Sequence, residues 1–389
     1  MKIKVERINT SLFVICFFLI SLPFYVWSSA IIRHIAEFVC LCLFFTYSLK
    51  VLSVDIKHRG LIVFFFLFVL YISLRNISTI SVKVFLNIAL VSIFFIPDKN
   101  KIKFYEAYKT FISIFLFISI LVYIAVLWLN IDIPYSNIDA LNNLKPGGYR
   151  AYPFLAVYDS EYAFVKYRFC GPYDEPGVIG TFAIILLYGE RYNLKDYRNI
   201  IIFISGICSF SMFFFVMTAL YFLIFNGKYF ISIIFFTLGI LLLYIGRENE
   251  IISSLVFDRF EIYKNGGGRT TDFFNNVYSE FIKTPDLIWG EGTEKTSKLL
   301  MQTGASSYKS VIYEYGLIGL FLYLLLWGYH AISNLCNKNN IVIFCFLFGA
   351  VFYQRPSLFE PYYYFLFSVI ISKYSFYEKP INNDYSCYL

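Results

Sequence analysis

Residues 108–130 read YKTFISIFLFISILVYIAVLWLN, an apolar run whose only charge is on Lys109. A run of about 20 apolar residues forms a helix long enough to cross the hydrocarbon core of a bilayer. The whole chain has this character, because its 389 residues are 59% hydrophobic and only 15% charged. Soluble domains contain about 25% charged residues, so this chain has too few for a soluble protein. Its composition also differs from those of disordered, collagen-like and disulfide-scaffold chains, which excludes these classes. We therefore predict an integral membrane protein.

Ten apolar stretches along the chain are candidate membrane crossings. They cover residues 11–30, 35–52, 60–74, 81–96, 108–130, 176–190, 228–246, 310–331, 341–354 and 361–373. A further apolar run, 199–226, is interrupted at Ser209, Phe210 and Ser211, and we interpret it as a hairpin of two short helices. Together these segments predict an all-α polytopic protein of about 12 transmembrane helices, with residues 1–389 forming a single transmembrane domain.

Basic residues in the short connections predict which side of the membrane each connection faces. Seventeen of the 33 Lys and Arg residues fall on one side: Lys2, Lys4, Arg7, Lys50, Lys57, Arg59, Lys99, Lys101, Lys103, Lys109, Arg191, Lys195, Arg198, Lys228, Lys338, Lys373 and Lys379. The positive-inside rule makes this side cytoplasmic. Lys228 lies on the cytoplasmic side only if residues 199–226 enter the membrane and return. Both termini are then cytoplasmic, and the long loops 131–174 and 247–309, which we expect to contain short helices, face outward.

The interior of the predicted spans contains almost no charged residues. A proton-coupled transporter needs titratable groups deep in the membrane, so the pattern disfavours that class and favours a site at the outer interface. No metal-ligand spacing is present, and Cys170 is the only cysteine in an outer loop. We therefore expect neither a metal site nor a disulfide.

The first long loop ends in RFCGPYDEPG, residues 168–177, which lead directly into an apolar helix. Pro176 suits the first turn of that helix, and Asp174 and Glu175 could complement its positive end. On a second interpretation, Arg168 and Glu175 face each other across the turn, the first holding a phosphate and the second accepting a proton. Arg168 could equally be a headgroup anchor or a member of a loop ion pair.

The second long loop carries three glycines directly before Arg269, followed by Asp272. Such glycines allow the backbone to approach a ligand closely, although a flexible linker has the same composition. Further on, the loop contains Gly290-x-Gly292, and the next apolar helix begins with Tyr308 and the motif Glu314-x-Gly316-Leu-Ile-Gly319.

Taken in order, Arg168-x-x-Gly171-x-x-x-Glu175-Pro176, Gly-Gly-Arg269, Gly290-x-Gly292, Tyr308 and Glu314-x-Gly316 resemble the O-antigen polymerase and ligase superfamily. The order of predicted membrane spans and loops resembles this superfamily over most of the chain, but the sequence motifs occupy only residues 168–180 and 266–319. Ligases of this superfamily carry a histidine at the position of Ala305, and neither long loop contains a histidine. The resemblance therefore favours the polymerase branch.

This resemblance implies a GT-C-like glycosyltransferase of the bacterial inner membrane that acts in lipopolysaccharide biosynthesis. At the periplasmic face it would transfer a growing glycan from undecaprenyl diphosphate to the terminal sugar of a lipid-linked repeat unit. It implies lipid-linked oligosaccharide donor and acceptor, membrane lipids and a chain-length regulator protein as partners, with no cofactor and no nucleic acid. A ligase that joins polymer to lipid A core and a lipid-linked oligosaccharide transporter remain the alternatives.

The residues expected to carry the activity follow from the same resemblance. Arg168 and Arg269 correspond to the functional arginine pair, and Glu175 is the best-placed carboxylate for a general base. Residues with a lesser expected role in substrate or diphosphate binding are Arg150, Arg259, Arg355, Tyr173, Asp174, Asp272, Tyr308 and Glu314.

Overall fold

The computed structural model describes residues 2–49, 56–75, 90, 92–139, 148–159, 166–225, 271–303, 307–355 and 360–378. It is mostly helical, at 77%, with few strands, which confirms the helical fold class. The chain divides into two compact units, one of residues 1–40 and 103–265 and the other of residues 41–102 and 266–389. We call them unit 1 and unit 2 and describe each by itself.

The helices and strands are numbered along the chain. The helices are α1 (Lys2–Ile20), α2 (Ala30–Ser48), α3 (Ile56–Arg75), α4 (Asp98–Tyr123), α5 (Pro176–Gly189), α6 (Tyr197–Cys208), α7 (Met212–Leu220), α8 (Asp272–Phe281), α9 (Asp286–Trp289), α10 (Thr293–Thr303), α11 (Tyr308–Asn334), α12 (Lys338–Gln354) and α13 (Pro361–Glu378). The strands are β1 (Ser136–Ile138), β2 (Tyr149–Tyr152) and β3 (Leu155–Tyr158).

Within the described residues, three helices are long and apolar enough to cross a membrane. They are α2, α4 with its π-helical extension to Trp128, and α11. Several shorter apolar helices, among them α5, α6 and α12, accompany them. These helices support membrane association. The predicted crossings 81–96 and 228–246 lie largely or wholly outside the described residues.

In unit 1, the run 199–226 forms the expected hairpin. Helix α6 ends at Cys208, Phe210 takes a positive φ of 47°, and α7 starts at Met212. The Tyr188 hydroxyl, near the end of α5, donates to the Met217 carbonyl at 2.9 Å, whereas Gly180, in the first turns of α5, lies against Ser211. The hairpin tip therefore lies at the start of α5 and α7 returns along it, so the hairpin prediction is confirmed.

At the other end of this hairpin, a buried group of charged residues joins α4, α5 and α6. The ammonium of Lys109, whose side chain is 1% exposed, lies 3.0 Å from a carboxylate oxygen of Glu190 and 3.0 Å from one of Asp196. Arg198 continues the network, with 2.6 Å to Asp196 and 3.0 Å to Glu106. Buried charges are tolerated only when paired, so each member of this group depends on the others.

Removing the cation at the centre of this network should be strongly destabilising. We expect Lys109→Met to lower the free energy of unfolding by about 3–5 kcal/mol, because Glu190 then stays buried without its main cation. Adding Glu190→Gln should restore part of the loss. Denaturation in detergent micelles measures both, with Lys103→Met on the exposed side of the same helix as a control, where we expect a change within about 0.5 kcal/mol. A Lys109→Met protein as stable as the control would show that the network does not hold the helices together.

The first long loop differs from expectation, because it holds a sheet where short helices were predicted. Strands β1, β2 and β3 form an antiparallel sheet in that order, with Tyr149 opposite Tyr158 and Tyr152 opposite Leu155. A two-residue turn, in which Phe154 has a φ of 66°, joins β2 to β3. Tyr, Val and Leu at the strand positions favour extended structure when one face is buried. This preference explains why the segment forms strands instead of the predicted helices. Short helices are present in the described part of the second loop, as α8, α9 and α10.

In unit 2, aromatic side chains form much of the core between α11, α12 and α13. Trp327 is 1% exposed, and its ring centroid lies 5.3 Å from that of Tyr364, 5.5 Å from that of Phe348 and 5.8 Å from that of Phe367. Aromatic pairs at such distances stabilise beyond the area they bury. The aromatic content of the chain, 22%, therefore has a packing role in this unit.

The expectation of no disulfide is wrong at one position. Cys336, which follows α11, is disulfide-bonded. Cysteines 16, 40, 42, 170, 208 and 345 are free.

Candidate functional site

In unit 1, the segment from Arg168 to Glu175 makes a tight turn before α5. Gly171 has a φ of 56°, and a Cβ added there would lie 3.0 Å from the Ile179 side chain, so the turn favours glycine. The Gly171 carbonyl accepts a hydrogen bond from the Ala156 N–H of β3, at 2.9 Å, and the Asp174 carbonyl accepts one from the Tyr149 hydroxyl of β2, at 2.6 Å. These two hydrogen bonds therefore attach the turn to the sheet at Gly171 and at Asp174.

Arg168 is anchored to the tip of the α6–α7 hairpin. Its Nε donates to the carbonyl of Ser209 at 3.1 Å, and the neighbouring Phe169 N–H donates to the Cys208 carbonyl at 3.0 Å. Ser209 is the C-cap of α6, so the guanidinium lies where the partial negative charge of a helix end is greatest. The side chain of Arg168 is half-buried, so a site built on it would be partly shielded from water.

Glu175 is the residue immediately before α5, with Pro176 at the first helical position. The capping interpretation is only partly met, because the Glu175 side chain makes no capping hydrogen bond to the helix. Its carbonyl accepts the Val178 N–H instead, at 3.0 Å. The carboxylate therefore lies at the positive end of α5, in the same turn as Arg168, without closing the helix start.

The other predicted residues of this turn have different environments. Tyr173 is 2% exposed, its hydroxyl lies 3.1 Å from the Ser21 hydroxyl, and its ring stacks on Phe182 at 5.3 Å. A buried ring cannot stack on a sugar, so we give Tyr173 a packing role and omit it from the proposed binding set. Asp174 is half-buried next to it.

Arg150 belongs to unit 1 as well, on β2. Its guanidinium forms an ion pair with Asp159 at 2.8 Å and lies 5.3 Å from the centroid of the Tyr135 ring. The ion pair is exposed, so it contributes little to stability and leaves both groups accessible to a ligand.

In unit 2, the glycine motif of the second long loop lies against the glycine motif of α11. Gly316 has a φ of 65° inside α11 and breaks the helix there, while Gly290, with a φ of 80°, ends α9. A Cβ on Gly316 would meet the Ile288 carbonyl, and one on Gly290 would meet the Glu314 carbonyl. We call residues 288–292 and 313–316 the glycine clasp.

Hydrogen bonds hold this clasp closed. The N–H groups of Glu291 and Gly292 donate to the carbonyls of Tyr313 and Glu314, at 2.7 and 3.0 Å. The Tyr71 hydroxyl of α3 lies within hydrogen-bond distance of carbonyls on both sides, at 2.7 Å from that of Trp289 and 2.8 Å from that of Tyr315. The break in α11 exposes carbonyls that a continuous helix would use, and these groups satisfy them.

The remaining predicted residues of unit 2 lie around this clasp and at helix ends. The carboxylate of Glu314 accepts a hydrogen bond from the Thr293 hydroxyl at 2.7 Å. Tyr308 begins α11 and stacks on Tyr353 at 5.5 Å. Asp272 is exposed in the first turn of α8, and Arg355 follows the last residue of α12.

Two predicted arginines, Arg259 and Arg269, lie outside the described residues, so the pairing of Arg168 with Arg269 stays a prediction. Within the described residues, unit 1 contains Arg150, Arg168, Tyr173, Asp174 and Glu175, and unit 2 contains Asp272, Tyr308, Glu314 and Arg355.

Two groups that hold these segments in place were not predicted from the sequence. The Ser209 carbonyl anchors Arg168, although the sequence showed only that the helix breaks there, and Tyr71 bridges the glycine clasp from 218 residues before Trp289. Neither has a signal in the local sequence, because each acts through a contact between distant segments.

The fold and the apolar helices define a helical, membrane-compatible protein with two glycine-bearing polar segments next to apolar helices. In comparisons with known proteins, the chain matches no protein-family model, no curated protein and no solved structure.

Proposed function

We propose that the protein is a glycan polymerase of the bacterial inner membrane, acting in the synthesis of O-antigen or a related surface polysaccharide. It transfers a growing glycan from undecaprenyl diphosphate to the terminal sugar of a second lipid-linked repeat unit at the periplasmic face. The observation that carries the proposal is the position of Arg168, held at the hairpin tip in the turn that ends at Glu175.

The chemistry of glycan transfer from a lipid diphosphate suits these two side chains. The acceptor hydroxyl oxygen forms a bond to the anomeric carbon as the bond from that carbon to the diphosphate oxygen breaks. The leaving group takes the bonding electrons and needs cationic donors, and a guanidinium provides them in bidentate geometry while staying charged. Glu175 takes the proton of the acceptor hydroxyl. Arg269 is the proposed second phosphate ligand.

We propose a topology of about 12 spans with a GT-C-like arrangement and both termini in the cytoplasm. The three long apolar helices and the returning hairpin support it. The hairpin matters most, because it returns the chain to the side that the basic residues mark as cytoplasmic. The chain-length regulator is the expected protein partner.

The glycan profile of a deletion strain tests this function against its alternatives. Loss of a polymerase leaves lipid A core that carries a single repeat unit, whereas loss of a ligase leaves bare core. Loss of a transporter would stop the supply of repeat units to the outer face. We expect core with one repeat unit, and restored long chains on complementation. Bare core would contradict the proposal.

Glu175→Gln is expected to slow polymerisation by about 10²–10⁴-fold, the usual contribution of a general base. The amide keeps the size of the side chain but cannot accept the hydroxyl proton. The rate is measured as repeat units added per minute in membranes that contain equal amounts of protein. Glu280→Gln, an exposed carboxylate on α8 whose side chain is 74% exposed, is the matched control and should keep full activity. Equal rates for both variants would leave Glu175 without a catalytic role.

A further inference from the structure

Unit 1 contains an open cavity of about 360 Å³ between the end of α4 and the sheet. Small-molecule sites have volumes of roughly 300–1,000 Å³, so this cavity can hold a ligand of one or two rings. The lining includes the polar or aromatic residues Asp132, Tyr135, Arg150, Tyr152, Asp159 and Lys166.

One face of the sheet forms the floor of the cavity. Arg150 and Tyr152 alternate with Tyr149 and Ala151 along β2, so they lie on the same face, and Val157 of β3 is opposite Arg150. The Tyr135 ring lies 5.3 Å from the Tyr152 ring. The floor thus combines the exposed Tyr135 ring with a guanidinium, while the Tyr152 ring is buried next to Tyr135.

Among the residues that the structure describes, the charges that line the cavity cancel. Arg150 is paired with Asp159, while Lys166 has no carboxylate partner among the described residues, and Asp132 is exposed nearby. Although partial burial lowers the pKa of Arg150, the Asp159 carboxylate together with Tyr135 and Tyr152 outweighs this effect and raises the pKa, so the guanidinium stays charged. Burial also raises the pKa of Tyr152, which keeps its hydroxyl protonated. The site offers many hydrogen-bond donors and acceptors without a net positive charge.

We propose that this cavity binds one or two sugar residues of the lipid-linked oligosaccharide, and that the diphosphate binds elsewhere. An exposed tyrosine ring next to balanced polar groups suits a sugar, which presents an apolar face and hydroxyl edges. A diphosphate would need a net excess of cations. This inference rests on the proposed function and names the part of its substrate that unit 1 recognises.

The position of the cavity agrees with this ligand. It lies where the apolar segment Asp98–Trp128 ends, so a lipid-linked glycan would meet it at the membrane surface. Its sheet also holds the turn of Arg168 and Glu175, through the hydrogen bond from Ala156 to Gly171 and that from Tyr149 to Asp174. A sugar bound here would lie on the scaffold that fixes the proposed catalytic residues.

Binding to the full-length protein in lipid nanodiscs tests the inference. The probes are the repeat-unit oligosaccharide, released by mild acid from the lipid-linked intermediate of the host, and inorganic pyrophosphate. We expect Tyr135→Ala and, separately, Lys166→Ala to weaken oligosaccharide binding about ten-fold and to leave pyrophosphate binding unchanged. Tyr197→Ala removes another exposed tyrosine, from α6, and should change the binding of neither probe.

Three results separate this inference from the proposed function. Unchanged oligosaccharide binding in both cavity variants, with normal chain growth, would overturn the inference and leave the polymerase proposal intact. Loss of pyrophosphate binding in the cavity variants would overturn it in favour of an anion site. Weakened oligosaccharide binding in a protein that does not extend chains would support the cavity and contradict the polymerase. Size-exclusion chromatography shows whether each variant is folded, and the two single variants make independent tests.

Discussion

Replacing Arg168 with alanine should abolish long-chain glycan, while the protein still inserts into the membrane. The guanidinium is expected to stabilise the charge that develops on the leaving diphosphate, and removal of one such preorganised donor typically lowers a rate by about 10²–10³-fold. A loss of that size leaves chains of one or two repeat units. Gel profiles of the surface polysaccharide measure chain length, and immunoblots of membrane fractions measure insertion.

Arg168 also anchors the hairpin tip through the Ser209 carbonyl, so its two roles must be separated. Arg168→Lys keeps the positive charge but loses the bidentate geometry, and it should give short chains in a protein of nearly normal stability. Arg33→Ala is the matched control, because Arg33 is a half-buried arginine on α2 that pairs with Glu37 and has no role in the proposed site. Arg269→Ala should behave like Arg168→Ala. Polymer of normal length from both alanine variants would remove these arginines from the site.

Gly316→Ala should destabilise the protein by about 3 kcal/mol or prevent its accumulation. Residue 316 has a φ of 65°, a backbone conformation that is strained for any residue with a Cβ. The Cβ of the alanine would also meet the Ile288 carbonyl across the glycine clasp. The clasp must open to accommodate it, which would leave the Tyr313 and Glu314 carbonyls without their present donors.

The same helix provides a control for this prediction. Gly328 lies three turns further along α11, and an added Cβ would meet nothing within 4 Å. Gly328→Ala should therefore be neutral or stabilising by up to about 1 kcal/mol, through helix propensity alone. Thermal denaturation in detergent compares the two variants. If Gly316→Ala melts at the temperature of Gly328→Ala, α11 does not need the break and the clasp does not stabilise the fold.

The hairpin was predictable because two independent signals agreed. The serines around Phe210 broke an apolar run, and the basic residue Lys228 required the chain to return. The sheet of the first loop was not predicted, although the stretch Tyr149–Tyr158 contains β-forming residues around a Pro-Phe turn. A prior expectation of helices in the loops of a helical protein outweighed that local pattern.

The glycine motifs show a different limit of sequence reasoning. Gly290 and Gly316 were singled out only as parts of short motifs, and a glycine that approaches a ligand closely has the same sequence signature as one that approaches another backbone segment. The structure has the second at these two positions. Only the tertiary contact between α9 and α11 separates the two explanations, and no local pattern encodes it.

The burial of individual side chains at the predicted site could not be read from the sequence either. Arg168, Tyr173 and Glu175 lie within eight residues of one another, and the sequence placed all three at the predicted site. Arg168 is half-buried at a helix end, Tyr173 is packed against Ser21 and Phe182, and Glu175 starts a helix without capping it. These differences arise from the way the turn lies between the sheet and the hairpin.

Chain growth by the purified protein is the most direct test of the central proposal. The protein is placed in liposomes with undecaprenyl-diphosphate-linked repeat units from its host, and products are followed by mass spectrometry. We expect lipid-linked chains of two or more repeat units, with one undecaprenyl diphosphate released for each bond formed, and none of these products with Arg168→Ala. Repeat units that stay single in the presence of folded wild-type protein would contradict the assignment as a polymerase.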